Sequence, residues 1–468
     1  MMSQTPDRYV STRGDDARSD FAEALLRGMA PDGGLYMPGA WPRLSPEAWA
    51  PGRGYAEIAT EAMAPFIGDA LPDGGLDRAL ARLTAGFEPA EVTPLRKLED
   101  DLYLLELFHG PTAAFKDLAM QLAAALSSEA LAASGERLTL VTATSGDTGA
   151  AAVAAFANTD RVRLIVLHPH ERVSAVQRRQ MTTVDAPNVL NLAVRGDFDD
   201  CQRLVKGLLS NESLRSAGRF SSVNSINWAR LAGQIPYYVS AVSQLAALGE
   251  TRAPVFVVPT GNFGDAFAGI AAARMGLPVA GFMAAVNRND ALARAIIDGV
   301  YARKAAVETA SVSMDVQAPS NFERLVFEAS GRDAELTRSL FEAFAREGSV
   351  PLPPALLDAI RAEVAAVSVS EETTRAEIAH AHATWGQVVC PHTAVALSAA
   401  RGVDRSRGPV VALSTAHPAK FGKDVAPVLG FDPEPPRVIR ELGDRAERFE
   451  IIDADAEAAL SAVRAFSS

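Results

Sequence analysis

The stretch "RLTLVTATSGDTGAAAVAAFAN", residues 137–158, decides how the chain must fold. Its first part, "RLTLVTA", is apolar and β-branched and reads as a buried strand. Its last part, from Gly149 onward, is rich in alanine and reads as a helix. Between them "TSGDTG" (144–149) supplies the residue types that make turns and cap helices. A buried strand passing through a short loop into a helix is the building unit of a parallel sheet covered by helices on both faces.

Outward from there the same order recurs. "APVFVVPTGNFGDAFAGIAAARMG" (253–276) repeats strand, loop and helix. "DLYLLELF" (101–108) reads as a strand and "FKDLAMQLAAALSSEAL" (115–131) as a helix. "RVRLIVLHP" (161–169), "NVLNLAVRG" (188–196) and "GPVVALSTAH" (408–417) are further strands. The fold class is therefore α/β. Residues 1–94 look different: "SDFAEALLRGM" (19–29) has helical spacing behind an N-cap, and 30–49 is so dense in turn residues that it predicts mostly loop. This N-terminal unit reads as largely helical. "VPLPPALLDAIRAEVAAV" and "SEETTRAEIAHAHATW" also predict helices, and the tail after about residue 430 ends in a helix-like run.

At 468 residues the chain is too long for one small core. A net charge of −12 argues against nucleic acid or an anionic membrane as the main partner, yet backbone amides and local cations can still bind phosphate in an acidic protein. The two cysteines, Cys201 and Cys390, lie too far apart in sequence to suggest a disulfide framework or a cysteine metal site. The start "MMSQTPDRYVSTRGDD" lacks the apolar core of a signal peptide, and no apolar run reaches the ~18 residues of a membrane helix. A cytoplasmic location is expected. His380 and His382, two apart on a predicted helix, and "HPH" (168–170) have no zinc-site spacing, so no metal is expected.

Five segments carry side chains suited to chemistry. In "LFHGPTAAFKD" (107–117) Lys116 opens a helix, the wrong end of the dipole for an ammonium and a suitable one for a neutral amine. "TSGDTG" offers Ser145 and Thr148 hydroxyls and amides suited to a carboxylate, and "PTGNFGD" (259–265) offers two glycines whose turn can aim amides at a phosphate. "SVNSINWARLAGQ" (222–234) places Asn224, Ser225 and Arg230 at a helix start, where the guanidinium suits a second phosphate. "LSTAHPAKFG" (413–422) puts Thr415 at a strand end. Each also has an ordinary reading: Lys116 paired with Asp117 at the surface, a capped helix, a tight turn, an exposed arginine or a plain strand end. A lysine able to form a Schiff base, with one anion loop and one carboxylate loop, makes an amino-acid site that uses pyridoxal phosphate (PLP).

The motifs "FHGPTAAFKD", "TATSGDTGAA", "NSINWAR", "TGNFGD" and "STAHPAKF", in this order, resemble the threonine synthase family. The opening "YVSTRG…FAEALLRGMAPDGGLYMP" resembles the branch with an extra N-terminal domain. The resemblance implies a fold-type II PLP enzyme with two open α/β domains around a cofactor cleft, divided as 1–94, 95–245 and 246–468. It implies Lys116 as the Schiff-base lysine, with Gly261, Asn262, Phe263, Gly264 and Asp265 around the cofactor phosphate. Thr415 would meet the pyridine nitrogen. Ser145, Asp147 and Thr148 would lie against the substrate carboxylate, and Asn224, Ser225 and Arg230 against the substrate phosphate. The implied reaction turns O-phospho-L-homoserine and water into L-threonine and phosphate, by a monomer or homodimer whose cleft closes on substrate. A related PLP lyase and a non-catalytic protein on the same fold are the alternatives. Cys390 before "PHT" and Thr260 before Gly261 depart from the family pattern.

Overall fold

The computed structural model describes residues 9–15, 19–88, 90–443 and 445–467. Leu102–Glu106, Val255–Pro259 and Val410–Ser414 are strands in which every residue is buried. With no solvated face, such strands belong in the middle of a sheet covered on both sides. They are neighbours in a six-stranded sheet ordered Ala365–Ser368, Gly281–Val286, Val255–Pro259, Val410–Ser414, Leu102–Glu106, Leu95–Glu99. All its pairs are parallel except the last, where a short return makes Leu95–Glu99 antiparallel. A second sheet, of five strands, is parallel throughout: Glu450–Asp453, Val189–Arg195, Val162–Pro169, Leu138–Ala143, Arg219–Ser222. Parallel strands put their carboxyl ends on one edge, so the loops that follow them gather there.

The sheets do not follow the continuous blocks 95–245 and 246–468. Leu102–Glu106 pairs with Val410–Ser414, and Glu450–Asp453 joins Val189–Arg195 in the other sheet. Parallel pairing needs long crossovers, and here some of them pass between sheets. Helix Lys116–Ser134 leads from the six-stranded sheet to the five-stranded one, and helices Trp228–Ala232 and Ile235–Ala247 lead back. The helix that begins with Lys116 therefore starts at the junction of the two sheets.

In the N-terminal unit helices Phe21–Arg27, Tyr55–Ile67 and Gly75–Ala85 supply the helical content. The turn-rich stretch 30–49 is mostly loop, but Tyr36–Pro38 pairs with Tyr9–Ser11 as a small antiparallel ladder. This unit does not stand apart. Tyr9 and Phe66 close on the fully buried Trp228, with ring centroids 6.1 and 5.4 Å away, and the Tyr9 hydroxyl donates to the Phe66 carbonyl at 2.9 Å. Trp228 belongs to the same short helix as Arg230, so the N-terminal unit packs on the helix that carries that arginine.

"VPLPPALLDAIRAEVAAV" is helical only over Pro354–Glu363; its end becomes strand Ala365–Ser368 at the sheet edge. The alanines there carry little intrinsic preference for strand, and pairing with Gly281–Val286 decides. Among the described residues no helix is long and apolar enough to cross a membrane.

Candidate active site

A cavity of about 500 Å³ lies where the strand ends converge, and all five motif segments contribute to its lining. Lys116 is the first residue of helix Lys116–Ser134. The turn before it is pinned to the end of Val410–Ser414: the Phe115 N–H donates to the Thr415 carbonyl at 2.8 Å, and Ala114 bridges to Ala416. The Lys116 side chain is only 14% exposed, and its Nζ stands 3.5 Å from Asp147 Oδ2. Burial pushes this amine below its ordinary pKa; Asp147 opposes the shift, while Lys420 and Arg230 reinforce it. A surface pair with Asp117 does not form. Asp117 is fully buried and accepts from the Thr112 amide at 2.8 Å and hydroxyl at 2.7 Å, and burial raises its pKa to about 6.

Asp147 begins helix Asp147–Phe156, but its carboxylate is taken up by the protein. Oδ1 meets Lys420 Nζ at 2.8 Å and accepts from Gln177 Nε2 at 2.9 Å; Oδ2 accepts from Ser313 Oγ at 3.1 Å. Burial alone would raise the Asp147 pKa, yet Lys420 and Lys116 hold it well below the usual carboxylate range. The geometry sets Asp147 among cations, while Ser145 and Thr148, which flank it in sequence, also line the cavity. Gly146, at φ 144, is required here: a Cβ would lie 2.4 Å from the Gln177 side chain that reaches Asp147.

The loop after Val255–Pro259 turns into helix Gly264–Arg274. Gly261, Asn262, Gly264 and Asp265 line the cavity, whereas the Phe263 side chain is fully buried away from it and its backbone takes φ 63 to make the turn. A Cβ on Gly261 would lie 2.6 Å from the Ser313 carbonyl, so only glycine leaves the cradle open. Asp265 accepts from the Thr260 hydroxyl and the Ala266 amide, and burial raises its pKa. Thr260 therefore supports the loop from behind.

Asn224, Ser225 and Arg230 reach the same cavity. Asn224 is tied to Ser222 Oγ at 2.6 Å and Ser225 Oγ lies 3.3 Å from Ser320 Oγ. Arg230 is buried, and its Nε and Nη1 have no hydrogen-bond partner; burial lowers its pKa to about 10, still charged at neutral pH. A buried guanidinium with idle donors fits an anion that completes it. A lysine amine, an open glycine cradle at a helix N-terminus and an unsatisfied arginine together fit PLP with a second, anionic group beside it. Thr415, also lining the cavity, is buried at the strand end.

Four residues in this centre were not singled out from sequence: Lys420, Gln177, Ser313 and His392. The quoted "STAHPAKF" contains Lys420, but its partner Asp147 lies far back in the chain. His392 lines the cavity and accepts from the Ser313 amide at 3.2 Å; burial lowers its pKa to about 3, so it is neutral. A histidine whose folded pKa is depressed contributes stability above its unfolded pKa of roughly 6.5, lost as pH falls toward the folded value. Thermal unfolding between pH 7 and 4 is expected to fall less steeply for His392→Asn than for the wild type. Cys390 does not line the cavity. It caps helix Pro391–Ala400, its Sγ accepting from the Thr393 amide at 3.5 Å.

Comparison with known proteins agrees over the whole chain. Family models match for the threonine synthase N terminus at residues 8–83, a pyridoxal-phosphate dependent enzyme at 85–416 and the threonine synthase C-terminal region at 393–465. Threonine synthase of Pseudomonas aeruginosa is 41% identical over 466 residues, covering 98% of each chain. The crystal structure of PLP-bound threonine synthase from Brucella melitensis superposes with a TM-score of 0.95 at 42% identity, covering 98% of this chain and 99% of that one. The yeast threonine synthase structure gives 0.93 at 32% identity, covering 99% of both. With those likenesses spanning nearly every residue, and with a buried lysine at the meeting point of the two sheets, this chain belongs to the threonine synthase family of PLP-dependent enzymes.

Proposed function

We propose that the chain converts O-phospho-L-homoserine and water into L-threonine and phosphate, in the cytoplasm, as the last step of threonine biosynthesis. The observation that carries this reading is one cavity holding a buried amine and two separate anion-seeking sets, the Gly261–Gly264 cradle and the unpartnered Arg230. One anion set suits the cofactor's phosphate and the other a phosphate on the substrate. Lys116 would hold the cofactor's aldehyde, the cradle of Gly261, Asn262, Phe263 and Gly264 with Asp265 behind it would hold its phosphate, and Thr415 would face its ring nitrogen. When bound, PLP withdraws electron density from the amine-bearing carbon of the substrate and makes its proton removable.

The chain's own groups divide the remaining work. Ser145 and Thr148 orient the substrate carboxylate, and Arg230 with Asn224 and Ser225 holds the phosphate. Lys116, as a neutral amine, takes the proton from Cα and then serves at Cβ. The Cγ–O bond breaks with its electron pair on phosphate, which Arg230 retains. Water supplies hydroxyl to Cβ, and protons return to Cγ and Cα, so that substrate plus water equals threonine plus phosphate. Arg230 from helix Trp228–Ala232 and Val312, Ser313, Met314, Asp315 and Val316 line the cavity from two sides, and closure of that cleft on substrate would limit early loss of reactive species to water.

Purified protein with PLP and O-phospho-L-homoserine should release threonine and phosphate in equal amounts. Formation of 2-oxobutyrate and ammonia in place of threonine, with phosphate still released, would move the chain to the rival lyase. Gly261→Ala is expected to weaken PLP retention by about tenfold or more, since its Cβ must displace the Ser313 carbonyl. Equilibrium dialysis of the cofactor checks this.

A further inference from the structure

Lys116 and Lys420 are both buried against Asp147 in this site, and Lys423 lines the cavity as well. The Lys420 side chain has no exposed surface, and a buried ammonium is retained only where it is compensated. Two partners compensate it: Asp147 Oδ1 at 2.8 Å and the Thr112 carbonyl at 2.7 Å. Thr112 is part of the turn that leads into Lys116, and its amide and hydroxyl hold Asp117 on the first turn of the lysine helix. Lys420 therefore grips both the approach to Lys116 and the carboxylate that faces it.

We propose that Lys420 is a positioning residue for Lys116: by neutralising Asp147 it lets that carboxylate orient the Lys116 amine without converting it to a tightly held ammonium. The proposal rests on the role given to Lys116 above. The charge count carries it. A lone buried carboxylate 3.5 Å away would favour the charged lysine strongly. With Lys420 closer to the same carboxylate, a proton on Lys116 would place two ammonium groups on one anion, with the Arg230 guanidinium in the same cavity. Asp265 is the other carboxylate acting on Lys116, and it is engaged by Thr260 and Ala266; His392, the imidazole near it, is neutral. The Phe115 ring, 4.8 Å from the Lys116 nitrogen, completes the neighbourhood. Gln177 and Ser313 hold the carboxylate's remaining lone pairs, which keeps its direction fixed.

The test uses the full-length chain stripped of cofactor with hydroxylamine and measures the rate at which added PLP is captured by Lys116, by absorbance, across pH; Lys116→Ala is the blank. The midpoint of that profile reports when Lys116 becomes a free amine. Lys420→Met should move it upward by about one pH unit or more, and Asp147→Asn should move it downward by a similar amount. Lys420→Arg should return it toward the wild type. Opposite shifts are not expected of residues that only support the fold. Midpoints equal to the wild type, or shifts of the same sign, would overturn the proposal. Should Lys420→Met fail to fold, the downward shift of Asp147→Asn decides alone, and its absence overturns the proposal. A wild-type chain that captures no PLP at Lys116 overturns the site reading instead, so the two failures are told apart.

Discussion

Lys116→Ala is expected to lower threonine formation by about 10,000-fold or more, because the same amine is asked to hold the cofactor and to move protons at Cα and Cβ. Neither of the two groups packed beside it is free to replace it. Lys420 is consumed by Asp147 and the Thr112 carbonyl, and His392 is a neutral ring with a pKa near 3. The fold should survive, since Asp147 keeps Lys420, Gln177 and Ser313 when Lys116 is gone. Initial rates of phosphate release, together with loss of the absorbance band near the visible–ultraviolet border and an unfolding temperature close to the wild type, check all three parts. A band that persists in the variant would place the cofactor elsewhere.

The second large effect concerns Arg230. Arg230→Met should reduce kcat/KM for O-phospho-L-homoserine by about 100-fold or more, the scale expected when a buried anion loses its cation. Stability should move the other way. The Arg230 Nε and Nη1 are buried with nothing to donate to, and burial has already lowered the group's pKa to about 10. Exchanging an uncompensated buried charge for a methionine of similar length removes a desolvation cost, so the unfolding temperature of the cofactor-loaded protein should rise. Such a residue is held for binding at the expense of the free fold. Parallel measurement of kinetics and thermal unfolding separates this from a structural role, in which both would decline.

Much of this site could be read from sequence because its parts are local. Each motif is a strand end, a loop and a helix start within a dozen residues, and parallel pairing brings those ends together whatever the order of the strands. Lys116, Thr415 and the Gly261–Gly264 turn sit in the cavity for that reason. Phe263 shows the limit: its position in the loop was legible, but its side chain turns into the core and only its backbone shapes the cradle. The long-range charge pattern was not legible. Asp147 looked like a ligand or a cap within "TSGDTG", and only the fold sets it against Lys420. Edge strands were missed for a related reason. Arg219–Ser222 and Glu450–Asp453 are only four residues long and mostly solvent-accessible, Ala365–Ser368 is alanine-rich, and each exists because a neighbouring strand offers free backbone groups.

The proposed reaction breaks the carbon–oxygen bond of a phosphorylated amino acid and places water's oxygen on the neighbouring carbon. Reaction of O-phospho-L-homoserine in water enriched in oxygen-18, read by mass spectrometry, tests it most directly. Threonine should carry one heavy oxygen in its hydroxyl group and phosphate should carry none. Heavy oxygen in the phosphate, with unlabelled homoserine as the other product, would mean that the phosphorus–oxygen bond is the one cleaved and would contradict the proposed reaction.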